Sequence, residues 1–296
     1  MKKVLLASTA LVGFAGAAAA EVSLSGYAEM GVFGGTGIET QFHTDVAITF
    51  NMSGTTDNGL EFGAKIQLDD TNGSSSVNGT PAFDDEAVWV SGSFGKVTLG
   101  ETDGAYDWAL TEIYMGTALT DDHSTHAGAY WFTGGDGWWD NQIMRYEYSF
   151  GDFAVAVSAE MDDAGVGDSV LGLGVKWSGN MGGVDLGVGL GYQTDSTLDA
   201  VGVSIAASMA NGVSVNFGYA DDEFWGDKWW GLGVGYTTGA LLVQANYGEW
   251  DAAGTNGWGL VANYDLGGGA VAMFGYGDSG GAATGSTWSA GLGLSF

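Results

Sequence analysis

Apolar and polar residues alternate with period two along most of the chain after Ala20. That is the pattern of β-strands with one apolar and one polar face. Val22, Leu24, Ala28, Met30 and Val32 share one face, against Ser23, Ser25, Tyr27 and Glu29. Phe42, Val46, Ile48, Phe50 and Met52 oppose His43, Asp45, Thr49 and Asn51. Leu60, Phe62, Ala64, Ile66 and Leu68 oppose Glu61, Lys65, Gln67 and Asp69. Turn signals punctuate the runs, among them Asp57-Asn58-Gly59, Gly151-Asp152, Ala210-Asn211-Gly212, Thr238-Gly239 and Gly267-Gly268-Gly269. The unit recurs to Phe296 and predicts sixteen strands. For residues 270–277 the pattern gives a strand without assigning its facing. No run of about 18 apolar residues is present, so no transmembrane helix is predicted.

Two features favour a transmembrane barrel over a soluble sandwich. Turns alternate between short ones and long acidic ones, as expected when the two rims lie on opposite sides of a membrane. The apolar face begins or ends in aromatics, including Trp177, Tyr192, Tyr219, Trp230, Tyr236 and Trp258. Amphipathic rings there match the interfacial girdles of a lipid-facing band. The opposite face is Gly, Ser, Asn, Gln and charge, suited to a wet lumen. A bilayer does not tolerate unpaired sheet edges, so the first and last strands should pair. The predicted fold is all-β, an antiparallel barrel spanning residues 21–296.

One stretch breaks the rhythm. From about Thr102 to Asn141 some forty residues pass before alternation resumes, and a connection that long is usually functional. It carries Asp103, Asp107, Glu112, Asp121, Asp122, Asp136 and Asp140, with no Lys or Arg. It also holds Tyr106, Trp108, Ile113, Tyr114, Met115, Trp131, Trp138 and Trp139. A loop with that apolar content needs a surface to pack on, and the inner barrel wall is available. The reading is an inward-folded constriction loop with a short helix within Asp103–Glu112, and Asp103, Asp107 and Asp140 leading the candidates at the narrowing.

Composition sharpens this picture. Met1–Ala20 has Lys2 and Lys3, a short apolar core and Ala18-Ala19-Ala20, the layout of a cleavable secretory signal peptide. Without it, five Lys and Arg face 36 Asp and Glu, a net charge of −31. Nucleic-acid binding, which needs clustered bases, is excluded. The wall bases are few: Lys65, Arg145 and Lys176 by facing, with Lys96 near a turn. Cys is absent although an oxidising compartment is implied, so backbone pairing and packing hold the fold.

Other chemistry is weakly signalled. His123 and His126 beside Asp121 and Asp122 are spaced loosely like metal ligands, but without Cys or a regular frame they read as polar loop residues. Asp162, Asp163, Asp168, Asp221, Asp222, Glu223 and Asp227 crowd carboxylates into outer loops. There calcium would offset repulsion, and Asp162, Asp163, Asp221 and Asp222 are the candidate ligands of a structural calcium. No other cofactor is implied. No nucleophile elbow or phosphate-binding loop accompanies the three His residues, so no enzyme is predicted.

The chain resembles a general bacterial outer-membrane porin, most like those of phototrophic alphaproteobacteria. Glu21-Val22-Ser23-Leu24-Ser25-Gly26-Tyr27 is similar to the family's opening strand. Phe94-Gly95-Lys96-Val97-Thr98-Leu99-Gly100 resembles its hairpin before the constriction loop, Arg145-Tyr146 its pair after that loop, and Phe296 its terminal signature. The resemblance implies a sixteen-stranded, trimeric channel in the outer membrane, in contact with lipid and lipopolysaccharide, passing ions and small hydrophilic solutes. Family members often carry Arg where Glu101 stands, so discrimination here should rest on the acidic side, giving cation preference. Two other readings remain. One is a channel selective for a sugar or cation, with Trp131, Trp138 and Trp139 as a sliding surface. The other is a non-conducting structural or adhesive barrel.

Overall fold

The computed structural model describes residues 21–69, 82–119 and 126–296. Sixteen strands follow in chain order. The first eight are β1 (Glu21–Gly35), β2 (Ile38–Thr55), β3 (Glu61–Asp69), β4 (Ala82–Gly92), β5 (Gly95–Gly100), β6 (Ile143–Phe150), β7 (Phe153–Glu160) and β8 (Val170–Met181). The second eight are β9 (Val184–Thr194), β10 (Asp199–Met209), β11 (Val213–Asp222), β12 (Asp227–Thr238), β13 (Leu241–Trp250), β14 (Thr255–Gly267), β15 (Ala270–Gly281) and β16 (Gly285–Ser295). One short helix, α1 (Ala105–Ala109), lies between β5 and β6. Every strand pairs antiparallel with its sequence neighbours, and β1 pairs with β16 to close the barrel. At that seam Tyr27 lies opposite Ser295, and the Phe296 N–H donates to the Gly26 carbonyl at 2.8 Å. Closure leaves no sheet edge unpaired, which is what the bilayer interior demands.

Alternation places the apolar residues outside. Phe42 is 83% exposed, Val22 66% and Leu24 64%, and a continuous apolar face of this kind is a lipid face. Trp and Tyr gird it on β6 to β16, through Tyr146, Trp177, Tyr192, Tyr219, Trp230 and Trp258 among others. On β1 to β5 the outer face carries Val, Leu, Ile, Met and Phe but neither Trp nor Tyr. Among the described residues of those strands, Tyr27 and Trp89 are the two such rings, and both point inward. The pairing of β15 assigns its facing. Phe274 is exposed opposite Ala262 and Ala290, so Val271 and Met273 point into the barrel.

Three local features refine the sequence pattern. The first connection is the tight turn Thr36–Gly37, because β1 and β2 continue pairing beyond the predicted strands. The short helix expected within Asp103–Glu112 forms over Ala105–Ala109 and ends where Leu110 turns extended at φ −97°. β4 runs from Ala82 and stays paired with β3 because a bulge opposite Lys65–Gln67 absorbs an extra residue. Asp85 sits in that bulge at φ 57°.

The principal buried cluster lies inside the barrel. Tyr106, Leu110, Ile113, Tyr130 and Phe132 of the long loop pack on Trp229 and Trp250 of the wall. Burying each such side chain contributes roughly 1.5–3 kcal/mol, which answers why the loop carries so many apolar residues.

Candidate functional site

The loop from Glu101 to Gln142 runs along the inner wall and returns beside itself. On the way out, the Ala105 N–H donates to Ser158 Oγ and the Thr111 N–H to Ser204 Oγ, both at 2.8 Å. Asn263 then clamps Thr117, its Nδ2 donating to the Thr117 carbonyl at 2.6 Å. Leu119 reaches Gly31 and Gly291, at the seam of β1 and β16. On the way back, the Trp229 indole N–H donates to the Gly128 carbonyl at 2.8 Å, and the Tyr130 hydroxyl donates to Asp222. The backbone N–H of Asn141 finally donates to Glu160 at 2.8 Å.

Glycine makes this track. A Cβ at Gly174, Gly189, Gly233 or Gly248 would overlap the loop carbonyls of Ala105, Ala109, Ile113 or Gly128 respectively. The inward positions of β8 to β14 are therefore a groove cut for one layer of backbone. The inner faces of β2 to β6 instead carry side chains, among them Thr49, Lys65, Gln67, Lys96, Arg145 and Glu147.

Where the outgoing and returning arms meet, a cavity of about 270 Å³ is lined by Asp85, Glu101, Asp103, Asp107, Asp136 and Asn141 and by no base. Three predicted carboxylates, Asp103, Asp107 and Asp136, thus come together here. Two further acids were not among the predicted lining residues. Asp85 arrives through the bulge, and Glu101 accepts the Asp85 N–H at 2.9 Å and the Asn141 side chain at 2.5 Å. Burial, reinforced by the Asp103 and Asp136 charges, pushes Asp107 up to about 9. Burial pushes Asp136 up to about 7, opposed by hydrogen bonds from the Gly104 N–H at 2.6 Å and from Gln193 Nε2 at 2.5 Å. Burial also raises Glu101. Near neutral pH the exposed Asp103 is the predicted loop acid most open to solvent in this cavity.

The other predicted residues lie elsewhere. Glu112 is half-buried farther along the loop, its carbonyl accepting from Asn216. Asp140 is exposed at the rim, hydrogen-bonded with Asp163 in the β7–β8 connection. Asp121, Asp122 and His123 lie outside the described residues. His126 is buried in a neutral tautomer, its Nε2–H donating to Asn246 at 2.7 Å while Nδ1 accepts the Gly128 N–H, and burial lowers its pKa. It pins the loop and has no nitrogen left for a metal.

The three wall bases do point inward, and each is engaged. Lys65 pairs with Asp85; Arg145 donates to the Asp103 carbonyl and lies 3.7 Å from Glu147. Lys176 sits 4.0 Å above the Trp108 ring. Lys96 is 3.6 Å from Glu147, and Lys228 is 3.0 Å from Asp221 on the rim.

The calcium candidates are also committed. Asp162 accepts the N–H groups of Ala164, Val166 and Gly167, Asp221 pairs with Lys228, and Asp222 is buried under Tyr130. Among the described residues no group of three or more His, Asp or Glu is arranged to hold a metal ion. Trp131 packs on Tyr114, Trp138 on Phe224, and the Trp139 indole donates to the Asp168 carbonyl.

A closed sixteen-stranded barrel, apolar outside and with a loop packed within, defines a channel-type barrel of the outer membrane. The chain belongs to the Gram-negative porin family, whose pattern matches residues 7–284. A porin from Rhodobacter capsulatus is 31% identical over an alignment covering 88% of this chain and 94% of that one. Solved structures of engineered Rhodopseudomonas blastica porins share the fold. A triple mutant matches with a TM-score of 0.74 at 23% identity, over 93% of this chain and all of that one. A double mutant matches at 0.72 and 20% identity over the same shares. The protein is an outer-membrane porin, and its family is one of channels rather than enzymes.

Proposed function

We propose that this porin is a water-filled diffusion channel for ions and small hydrophilic solutes, narrowed by the loop and preferring cations. The observation that carries the reading is the acidic cavity between the loop arms, where five carboxylates meet with no base in its lining. Each of the five Lys and Arg of residues 21–296 is already engaged by a carboxylate or by a ring. Asp85 is paired with Lys65 and burial keeps Asp107 protonated near neutrality. It is the remaining excess of carboxylate over base that raises local cation concentration and repels anions, while pore width limits solute size. Reversal potentials across a KCl gradient in planar bilayers test the reading. A sign favouring potassium is expected, and one favouring chloride would overturn it.

The working unit proposed is a homotrimer formed after removal of Met1–Ala20, its long-loop rim among lipopolysaccharide. The outer face of β1 to β5, without Trp or Tyr, supports contact between copies there, since interfacial rings anchor a surface that meets lipid. Native mass spectrometry of the purified protein should give three copies of a chain beginning at Glu21. A monomer, or an intact leader, would refute that part.

A further inference from the structure

On the short-turn side of the loop, a second cavity of about 430 Å³ opens between Gly116–Thr117 and the inner walls of β12 to β16 and β1. Its lining departs from the rest of the lumen. Leu242, Val271, Met273 and the Tyr27 ring all point inward here, at positions where a wet channel would carry polar groups. These inward Val and Met residues belong to β15, the strand whose facing the sequence pattern left open. The polar lining is Thr117, Thr237, Asn263, Asp265 and Ser295, with Asp265 its one carboxylate and no Lys or Arg among the lining residues. Asn263 is committed to holding Thr117. Asp265 accepts the Gly267 N–H through Oδ1 at 2.7 Å, and its charge has no basic partner in the cavity.

A concave, mainly apolar pocket of a few hundred Å³, open on one side and with one carboxylate at its edge, is the form of a small-molecule site. An inorganic ion gains nothing from Leu, Val and Met, and a neutral apolar solute gains nothing from Asp265. We propose that the cavity is a subsite for small organic cations carrying an apolar body, which lodge there on the short-turn side of the narrowing. The proposal adds a ligand class to the channel reading and rests on that reading only for its effect on current. The apolar body displaces water from Leu242 and Met273, at roughly 25 cal/mol per Å² covered, while the ammonium faces Asp265.

Benzyltrimethylammonium is the probe, with tetramethylammonium as the same charge without the apolar body. Calorimetric titration of the detergent-solubilised protein should show benzyltrimethylammonium binding at least about tenfold more tightly, a difference of about 1.4 kcal/mol. Met273→Gln and Leu242→Asn should each abolish the preference, and Asp265→Asn should weaken binding of the probe while its amide oxygen still accepts the Gly267 N–H. Equal affinity for the two cations, or an unchanged preference in Met273→Gln and Leu242→Asn, would overturn the proposal. In bilayers, benzyltrimethylammonium should reduce potassium current at lower concentration from the short-turn side than from the long-loop side. Binding without any conductance would refute the channel reading alone. Conductance without selective binding would refute this subsite alone.

Discussion

The carboxylate of Asp136 accepts the backbone N–H of Gly104 at 2.6 Å, tying the returning arm of the loop to its outgoing arm. The same carboxylate accepts from Gln193 of β9, so one side chain fastens both arms to the wall. Asp136→Ala therefore removes a clasp as well as a charge. Two hydrogen bonds to a buried group are lost, at about 1–3 kcal/mol for the groups left unsatisfied. Single-channel records should show larger and noisier conductance, with the heat stability of the barrel little changed because strand pairing is untouched.

Charge at the narrowing should depend on pH. Asp136 titrates near about 7 and Asp107 near about 9, both above the ordinary carboxyl value of 3.8. The potassium-to-chloride permeability ratio should therefore rise in two steps between pH 6 and 10, and Asp107→Asn should delete the upper step. Linkage gives the sign for the packed loop. The folded state keeps protons that the unfolded chain releases near 3.8, so this contribution is full below that pH and is lost as pH rises through about 7 and then about 9. Protease nicking within residues 102–141 should increase over the same window.

The glycine track can be tested by filling it. A Cβ at Gly233 would overlap the Ile113 carbonyl, while a β-branched residue suits the strand itself. Gly233→Val should assemble as a heat-stable barrel yet carry less current, because the loop is displaced from the wall toward the open pore. Unchanged conductance would show that the close packing of loop on wall does not set the pore.

Chelation separates the acidic rim from a metal site. Asp162, Asp221 and Asp222 are satisfied by backbone N–H groups, Lys228 and Tyr130. Excess EDTA should leave the thermal transition of detergent-solubilised protein unchanged. A lowered transition, restored by calcium, would show that a metal ion holds the rim.

Much of the barrel is legible in the sequence because bilayer and lumen impose opposite polarities on successive residues. Trp230, Leu232, Val234 and Tyr236 against Gly231, Gly233 and Gly235 can be read directly. The site is less legible. The loop's acidity is plain, but nothing local says that Asp136 is a clasp or that Asp222 is buried, since both depend on partners from distant strands. Asp85 reaches the cavity through a bulge, a one-residue slip that alternation does not announce. The one available signal for the loop's course is Gly at inward positions from β8 onward, where β2 to β6 carry side chains instead. β15 resists assignment because its inner face is apolar too, at Val271 and Met273.

The seam between β1 and β16 has a kinetic consequence. Pairing Tyr27 with Ser295 joins the two ends of a sheet whose other neighbours are all consecutive in the chain. Hairpins can therefore form early and locally, but closure must wait for the C-terminal strand, and loop-closure entropy makes that late contact the slow one. Until then two bare edges face any other strand nearby. The interval between synthesis of β15 and docking of Phe296 against Gly26 is when this chain is most exposed to misassembly, and when an escort that covers its open edges matters most.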